Sequence, residues 1–175
     1  RMLYPEQRRI IQSLLTPQLR CQQIEDIPLQ ELYDRGYIHL LLDLDNTILS
    51  PRYRDVSLRS LNWVSKAQSI GFDVWLISNN HDHYRVARAA KQLGIRGLYR
   101  ANKPSSIALR EYAKQHNIDL KSSVVVGDQL LTDVLVANWV RAYSIWVSPL
   151  DRQLTLIKTL QKEFETWLFG VVQSS

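Results

Sequence analysis

From Ile38 onward the chain alternates short apolar runs with segments of helical periodicity, and this alternation narrows the fold to an α/β domain with a mainly parallel sheet. Ile38 to Asp43 (IHLLLD) reads as a buried strand, and the helical pattern from Leu58 to Ile70 is stopped by Gly71. Phe72 to Ile77 (FDVWLI) is the next strand. Asp82 caps a helix that runs to Leu93 and ends at Gly94, ahead of a short strand near Gly97 to Tyr99. Pro104 is expected as a first-turn proline opening a helix to about Asn117. Ser123 to Val126 is a strand, Thr132 to Val140 a short helix, Tyr143 to Val147 another strand, and a last helix is expected from about Asp151 to Leu168. Before Ile38, the residues Arg8, Arg9, Ile10, Ile11, Leu14 and Leu15 suggest a short amphipathic helix closed by Thr16-Pro17. The chain therefore divides into an amphipathic extension over 1–37, packing on the core, and a domain over 38–175 that includes the C-terminal helix.

In an open α/β sheet the ligand crevice lies beyond the carboxyl ends of the strands. Those ends are polar in this chain: Asp43-Leu44-Asp45-Asn46-Thr47 after the first strand, Ser78-Asn79-Asn80 after the second, Lys103 in the next crossover, and Gly127-Asp128 with Asp133 after the third. Several carboxylates converging on one crevice repel one another unless a cation neutralises them. The single cysteine, Cys21, excludes a disulfide framework and a thiolate zinc site, so an all-oxygen set favours magnesium. A carboxylate at a strand end can attack phosphorus directly, and a second acid two residues later can protonate the leaving oxygen and then take a proton from water. Lys103 would offset charge on the nucleophile, while the Ser78 hydroxyl would hold phosphoryl oxygens.

The motifs DLDNT at 43–47, LISNN at 76–80, Lys103-Pro104 and VGDQLLTD at 126–133 resemble the four motifs of the haloacid dehalogenase (HAD) phosphatases. The resemblance implies a Rossmann-like fold, with Asp43 as nucleophile, Asp45 as general acid/base and Lys103 as the charge-neutralising lysine. It also implies Thr47, Ser78, Asn79 and Lys103 as phosphate-site groups. Magnesium would be held by Asp43, by Asp45 through its backbone carbonyl and by Asp128, with Asp133 completing the motif through the metal shell or by orienting Lys103. In finer detail the chain is similar to the YqeG-like branch of subfamily IIIA, related to phosphatidylglycerophosphate phosphatases. One departure is Val136-Ala137-Asn138-Trp139-Val140-Arg141, where that branch implies a glycine-richer stretch around the asparagine.

From Asp45 to Ser78 there are 33 positions and from Ser78 to Lys103 there are 25, each consumed by one helix and its adjoining strand. No room remains for a cap domain, so the crevice can admit a phosphate displayed on something large. The net charge of +5 lies wholly in the middle third, since residues 38–103 carry ten basic against five acidic side chains. Such a field attracts an anionic ligand, but no basic run is long enough to read as a nucleic-acid tail. Among these bases Arg85 and Arg88, three apart on a helix face, are candidate substrate contacts. The reading is a magnesium-dependent phosphatase with phosphatidylglycerophosphate as leading substrate, cytoplasmic or peripheral at the inner face of a membrane. Its alternatives are the same chemistry on a soluble nucleotide, sugar or protein phosphate, and a non-catalytic binding module acting on a protein or membrane. His81 and His83 read as helix-start side chains, His39 and His116 as structural, and Trp75 and Trp146 as core. The oligomeric state is not written in the sequence.

Overall fold

Along the first apolar run the side chains alternate between two layers, which is what a strand buried on both faces requires. The computed structural model describes residues 4–153. Its elements in chain order are α1 (Pro5–Leu15), β1 (Leu19–Cys21), α2 (Leu29–Asp34), β2 (His39–Leu42), α3 (Leu58–Ile70), β3 (Asp73–Ile77), α4 (His83–Leu93), β4 (Arg96–Leu98), α5 (Ile107–Gln115), β5 (Ser123–Gly127), α6 (Leu135–Val140) and β6 (Tyr143–Val147). The six strands form one sheet in the order β1-β6-β5-β2-β3-β4, with every pairing parallel. The α/β fold expected from the apolar pattern is therefore present. The helix expected from Asp151 to Leu168 lies, beyond residue 153, outside the described residues.

Leu40 and Leu42 of β2 join Val74, Leu76, Val124 and Val126 in a layer covered by Trp63, Val64 and Ala67 of α3 and Val86, Ala89 and Leu93 of α4. Leu41 turns the other way and packs with Trp75, Ile77 and Val125 against Leu109 and Ala113 of α5 and Val136, Ala137 and Val140 of α6. Helix starts follow the capping signals: the Ser57 and Asp82 side chains accept the Ser60 and Arg85 backbone N–H groups. Gly94 ends α4 in the left-handed conformation.

Two expectations need correction. Pro104 does not open α5, which begins three residues later. The Lys103-Pro104 peptide is cis, and residues 102–105 make a turn in which the Ser105 N–H donates to the Asn102 carbonyl at 2.9 Å. Lys103 is instead held beside β3 by Asn79, and this turn fills the space between it and the start of α5. The segment before Ile38 also contains a strand that its sequence does not announce: Leu19 to Cys21 pair with Ile145 to Val147, making β1 an edge of the sheet.

Asn138 explains the departure noted in the 136–141 stretch. Its side-chain amide donates to the carbonyls of Leu14 (2.9 Å) and Thr16 (3.0 Å), closing α1, while its oxygen accepts the Ser144 hydroxyl at 2.8 Å. Arg141 then ends α6 with φ of 64°, a conformation glycine adopts more readily.

β2 lies between β3 and β5, so the chain runs outward from β2 through β3 and β4 and later occupies the other flank through β5 and β6. Crossovers diverge at this switch point, opening a crevice beyond the carboxyl ends of β2 and β5. For the fold, Asn138→Ala is expected to cost about 1–2 kcal/mol by stranding the carbonyls that end α1, measured as a lowered midpoint in urea unfolding.

Candidate active site

The β2 ladder extends one residue past the strand, with the Asp43 N–H donating to the Val126 carbonyl at 2.9 Å, so the Asp43 side chain stands at the carboxyl end of the central strand. There it meets Lys103. The Lys103 Nζ donates to Asp43 Oδ1 and to Asp133 Oδ1, both at 2.6 Å, and the Thr47 hydroxyl reaches Asp43 Oδ2 at 3.4 Å. Asp43, Lys103, Asp128 and Asp133 are all buried, and Asp133 is only 1% exposed.

Each member is aimed by its backbone surroundings. Asn79 grips the Lys103 main chain reciprocally, with its amide on the Lys103 carbonyl at 2.8 Å and its oxygen accepting the Lys103 N–H at 2.7 Å. Asp133 sits on a π-helical turn over Leu130–Val134, and its second oxygen accepts the Gln129 N–H at 3.1 Å. It lies so close to β5 that a Cβ on Gly127 would come within 2.2 Å of its carboxyl carbon, so only glycine fits at the strand's last position. The Asp128 carbonyl accepts the Trp146 indole N–H at 2.7 Å. Trp146 is thus half-buried beside the site rather than a core residue, and Arg20 stacks 5.5 Å from its ring centroid.

These residues open onto a cleft of about 470 Å³ lined by Asp43, Asp45, Ser78, Asn79, Asn80, Arg85, Lys103, Gln129 and Thr132, among others. The Ser78 hydroxyl accepts the Asn80 N–H at 3.1 Å. Asp45 stands apart from the other acids: Asn80 donates to its Oδ2 at 2.7 Å and Arg85 Nε to its Oδ1 at 2.8 Å. Asn80 belongs to the polar strand end read from the sequence, which gave it no role of its own; the structure sets it on Asp45. Arg88 does not line the cleft but pairs with Asp55 at 2.7 Å, exposed to solvent. Thr47 is buried behind Asp43 and lines a second, smaller cavity. Cys21 is buried away from the cleft, and burial pushes its thiol up.

Asp43, Asp128 and Asp133 each offer a carboxylate oxygen within 4.8 Å of the others. Once all three are ionised, these carboxylates exceed the Lys103 ammonium by two negative charges, a deficit that one divalent cation matches. Burial pushes the Asp43 carboxyl up to about 8 against the pull of Lys103, and Asp133 and Asp128 add to the rise. Burial alone would lower the Lys103 ammonium, but Asp133 and Asp43 overcome it and hold the lysine charged.

A parallel sheet that gathers an aspartate pair, a serine, a lysine and a further acidic pair at its carboxyl edge is a layout for phosphoryl transfer, and comparison with known proteins agrees on a phosphatase. The chain belongs to the mitochondrial PGP phosphatase family, whose sequence model matches residues 8–149. Among curated proteins it is similar to the probable phosphatase YqeG of Bacillus subtilis, at 28% identity over 94% of this chain and 95% of that protein. It is also similar to the chloroplastic/mitochondrial phosphatidylglycerophosphate phosphatase 1 of Arabidopsis thaliana, at 23% identity over 80% of this chain, which spans 42% of that longer protein. Of the solved structures, an uncharacterised Corynebacterium glutamicum protein superposes with a TM-score of 0.54 at 19% identity, over 71% of this chain and 95% of that one. The cobalt-bound deoxy-D-mannose-octulosonate 8-phosphate phosphatase of Haemophilus influenzae gives 0.51 at 13% identity, over 68% of this chain and 70% of that one. At these identities the solved structures speak for the fold alone.

The raised Asp43 carboxyl has a consequence for stability. An aspartate in an unfolded chain titrates near about 3.9, so between that pH and about 8 the folded, metal-free protein holds a proton that the unfolded chain has released. Stability therefore falls as pH rises through this window. Asp43→Asn is expected to raise the thermal unfolding midpoint in EDTA, more at pH 8 than at pH 5, as read by circular dichroism.

Proposed function

We propose that this phosphatase hydrolyses phosphomonoesters through an aspartyl-phosphate, with magnesium, and that its substrate is phosphatidylglycerophosphate. The observation that carries the chemistry is the Lys103 ammonium held between Asp43 and Asp133, which keeps one oxygen of a buried carboxylate fixed at the mouth of β2. On this reading an Asp43 oxygen forms a bond to phosphorus as the ester O–P bond breaks, and the departing oxygen takes a proton from the Asp45 carboxyl. Water then attacks the phosphorus and gives a proton to Asp45, and the O–P bond to Asp43 breaks, restoring the carboxylate and releasing inorganic phosphate. Ser78 and the Lys103 ammonium receive the phosphoryl oxygens, while Thr47 supports Asp43 from behind. Asn79 acts by holding the Lys103 backbone, and Asp133 by orienting its ammonium. Asp43 and Asp128 are the side chains that would hold magnesium, with Asp45 adding its backbone carbonyl as the family resemblance implies. Bound there, the cation supplies neutralisation of the charge that gathers on the phosphoryl group.

The substrate assignment draws support from the family and from the rim of the cleft. Tyr53, Tyr84, Tyr99, Leu131 and Leu150 are all exposed, and they lie within the segments that follow β2, β3, β4, β5 and β6 in turn. Arg54 and Arg100 are exposed beside Tyr53 and Tyr99. An apolar rim with basic neighbours suits a phosphate displayed at an anionic lipid surface. Among the described residues no helix is long and apolar enough to cross a membrane. Residues 1–37 remain, on this reading, an extension packed on a phosphatase domain over 38–175, lending that domain its edge strand.

Phosphate release from phosphatidylglycerophosphate in mixed micelles is expected to need magnesium, to stop in EDTA and to fall about 10³-fold or more in Asp43→Asn. Release from soluble phosphomonoesters alone would discard the lipid, and no release from either would favour a binding module. The double variant Tyr53→Ser/Tyr84→Ser is expected to raise KM several-fold for the micellar substrate while leaving soluble esters unchanged, measured by steady-state kinetics.

A further inference from the structure

Asp45 stands apart from the Lys103 ammonium, which holds Asp43 and Asp133. Both of its oxygens are nevertheless taken, one by Asn80 at 2.7 Å and the other by Arg85 at 2.8 Å. Neither holder is free to wander. The Asn80 side-chain oxygen accepts the Asp82 N–H at 2.8 Å, at the cap of α4, and its own N–H is tied to Ser78. Arg85 spends its other two nitrogens on main-chain carbonyls of the loop that follows Asp45, Nη1 on Tyr53 at 2.8 Å and Nη2 on Ser50 at 3.2 Å. The guanidinium is thus seated by three acceptors in a planar fork, an arrangement an ammonium could not reproduce.

A carboxyl that must pass a proton to a departing oxygen works only if it stands within hydrogen-bond reach of that oxygen in a fixed orientation. A free aspartate side chain visits several rotamers, and water competes for its oxygens. Each Asp45 oxygen has a second lone pair, so the two contacts orient the group without saturating it. We propose that Asn80 and Arg85 are positioning residues of this phosphatase, clamping the Asp45 carboxyl from two sides so that it faces the departing oxygen. The inference rests on the acid/base reading of Asp45 given above. Arg85 is accordingly a holder of Asp45, and the substrate-contact role expected of it from sequence is not needed.

Proton donation matters to an ester whose leaving group is basic and hardly at all to one whose leaving group departs as a stable anion. The test is kcat/KM with magnesium for phenyl phosphate against 2,4-dinitrophenyl phosphate, two esters of similar shape. Asn80→Ala and Arg85→Gln are each expected to lower the value for phenyl phosphate about 10-fold or more and for the dinitrophenyl ester less than about 3-fold, with Asp45→Asn giving the same selectivity at about 10²-fold or more. Arg88→Gln serves as comparison, because Arg88 grips Asp55 in the same loop without touching Asp45. An equal loss on both esters in both holder variants would overturn the proposal, as would the same selectivity in Arg88→Gln. If Asp45→Asn discriminates and the holders do not, the clamp alone is wrong. If Asp45→Asn itself fails to discriminate, the acid role of Asp45 falls and the clamp with it.

Discussion

One ammonium carries the arrangement of the site. Lys103 lies between Asp43 and Asp133 with its side chain almost wholly enclosed, and both contacts are at 2.6 Å. Burying a lone lysine or a lone pair of aspartates would cost several kcal/mol; burying them together lets the ammonium order two carboxylates that follow the neighbouring strands β2 and β5. The surrounding backbone serves that contact. Asn79 fixes the Lys103 main chain through both its N–H and its carbonyl, and the absence of a side chain at Gly127 makes room for Asp133. The excess of carboxylate over ammonium that remains is what makes the place suited to a divalent cation.

Much of this was legible in the sequence because it obeys short-range rules. Strands buried on both faces are continuous apolar runs, so the sequence places β2, β3, β5 and β6 to within a residue or so, and Asp82, Gly71 and Gly94 mark helix ends by local chemistry. The polar residues gathered at the strand ends were legible once the sheet was taken as parallel, because parallel strands place all their carboxyl ends on one edge. What the sequence hid depends on distant partners. Leu19 to Cys21 is too short to show a pattern, and its pairing lies 126 residues away. Asn80 and Arg85 give no hint that they share Asp45, since that contact spans 35 and 40 positions. Pro104 misled because a proline at a helix start and a proline in a turn look alike without the tertiary contact that demands the turn.

The loop after Asp45 shows how a small domain can build a firm cleft without a second domain over it. Arg85, Arg88 and Gln92 lie along one stripe of α4 at three- and four-residue spacing, and together they hold Ser50, Tyr53, Asp55 and Val56. On the other side Asn46, with φ of 69°, accepts the Asp151 N–H at 2.7 Å and ties the same loop to the chain leaving β6. The walls are thus fixed by side chains that reach across to main-chain groups, which leaves the mouth open while its outline stays constant.

The edge strand β1 has a consequence for how the molecule comes into being. It is made first and pairs with β6, the last strand of the sheet to leave the ribosome. Until Val147 emerges, Leu19 to Cys21 have no partner and the flank later closed by β6 does not exist, while the α3 and α4 crossovers between β2, β3 and β4 can already pack. Long-range parallel pairing of this kind is slow to form and leaves an open edge in the meantime. The first strand of the sheet is thus the last to find its partner, and a chain arrested before β6 would present the apolar flank of β5 to its neighbours.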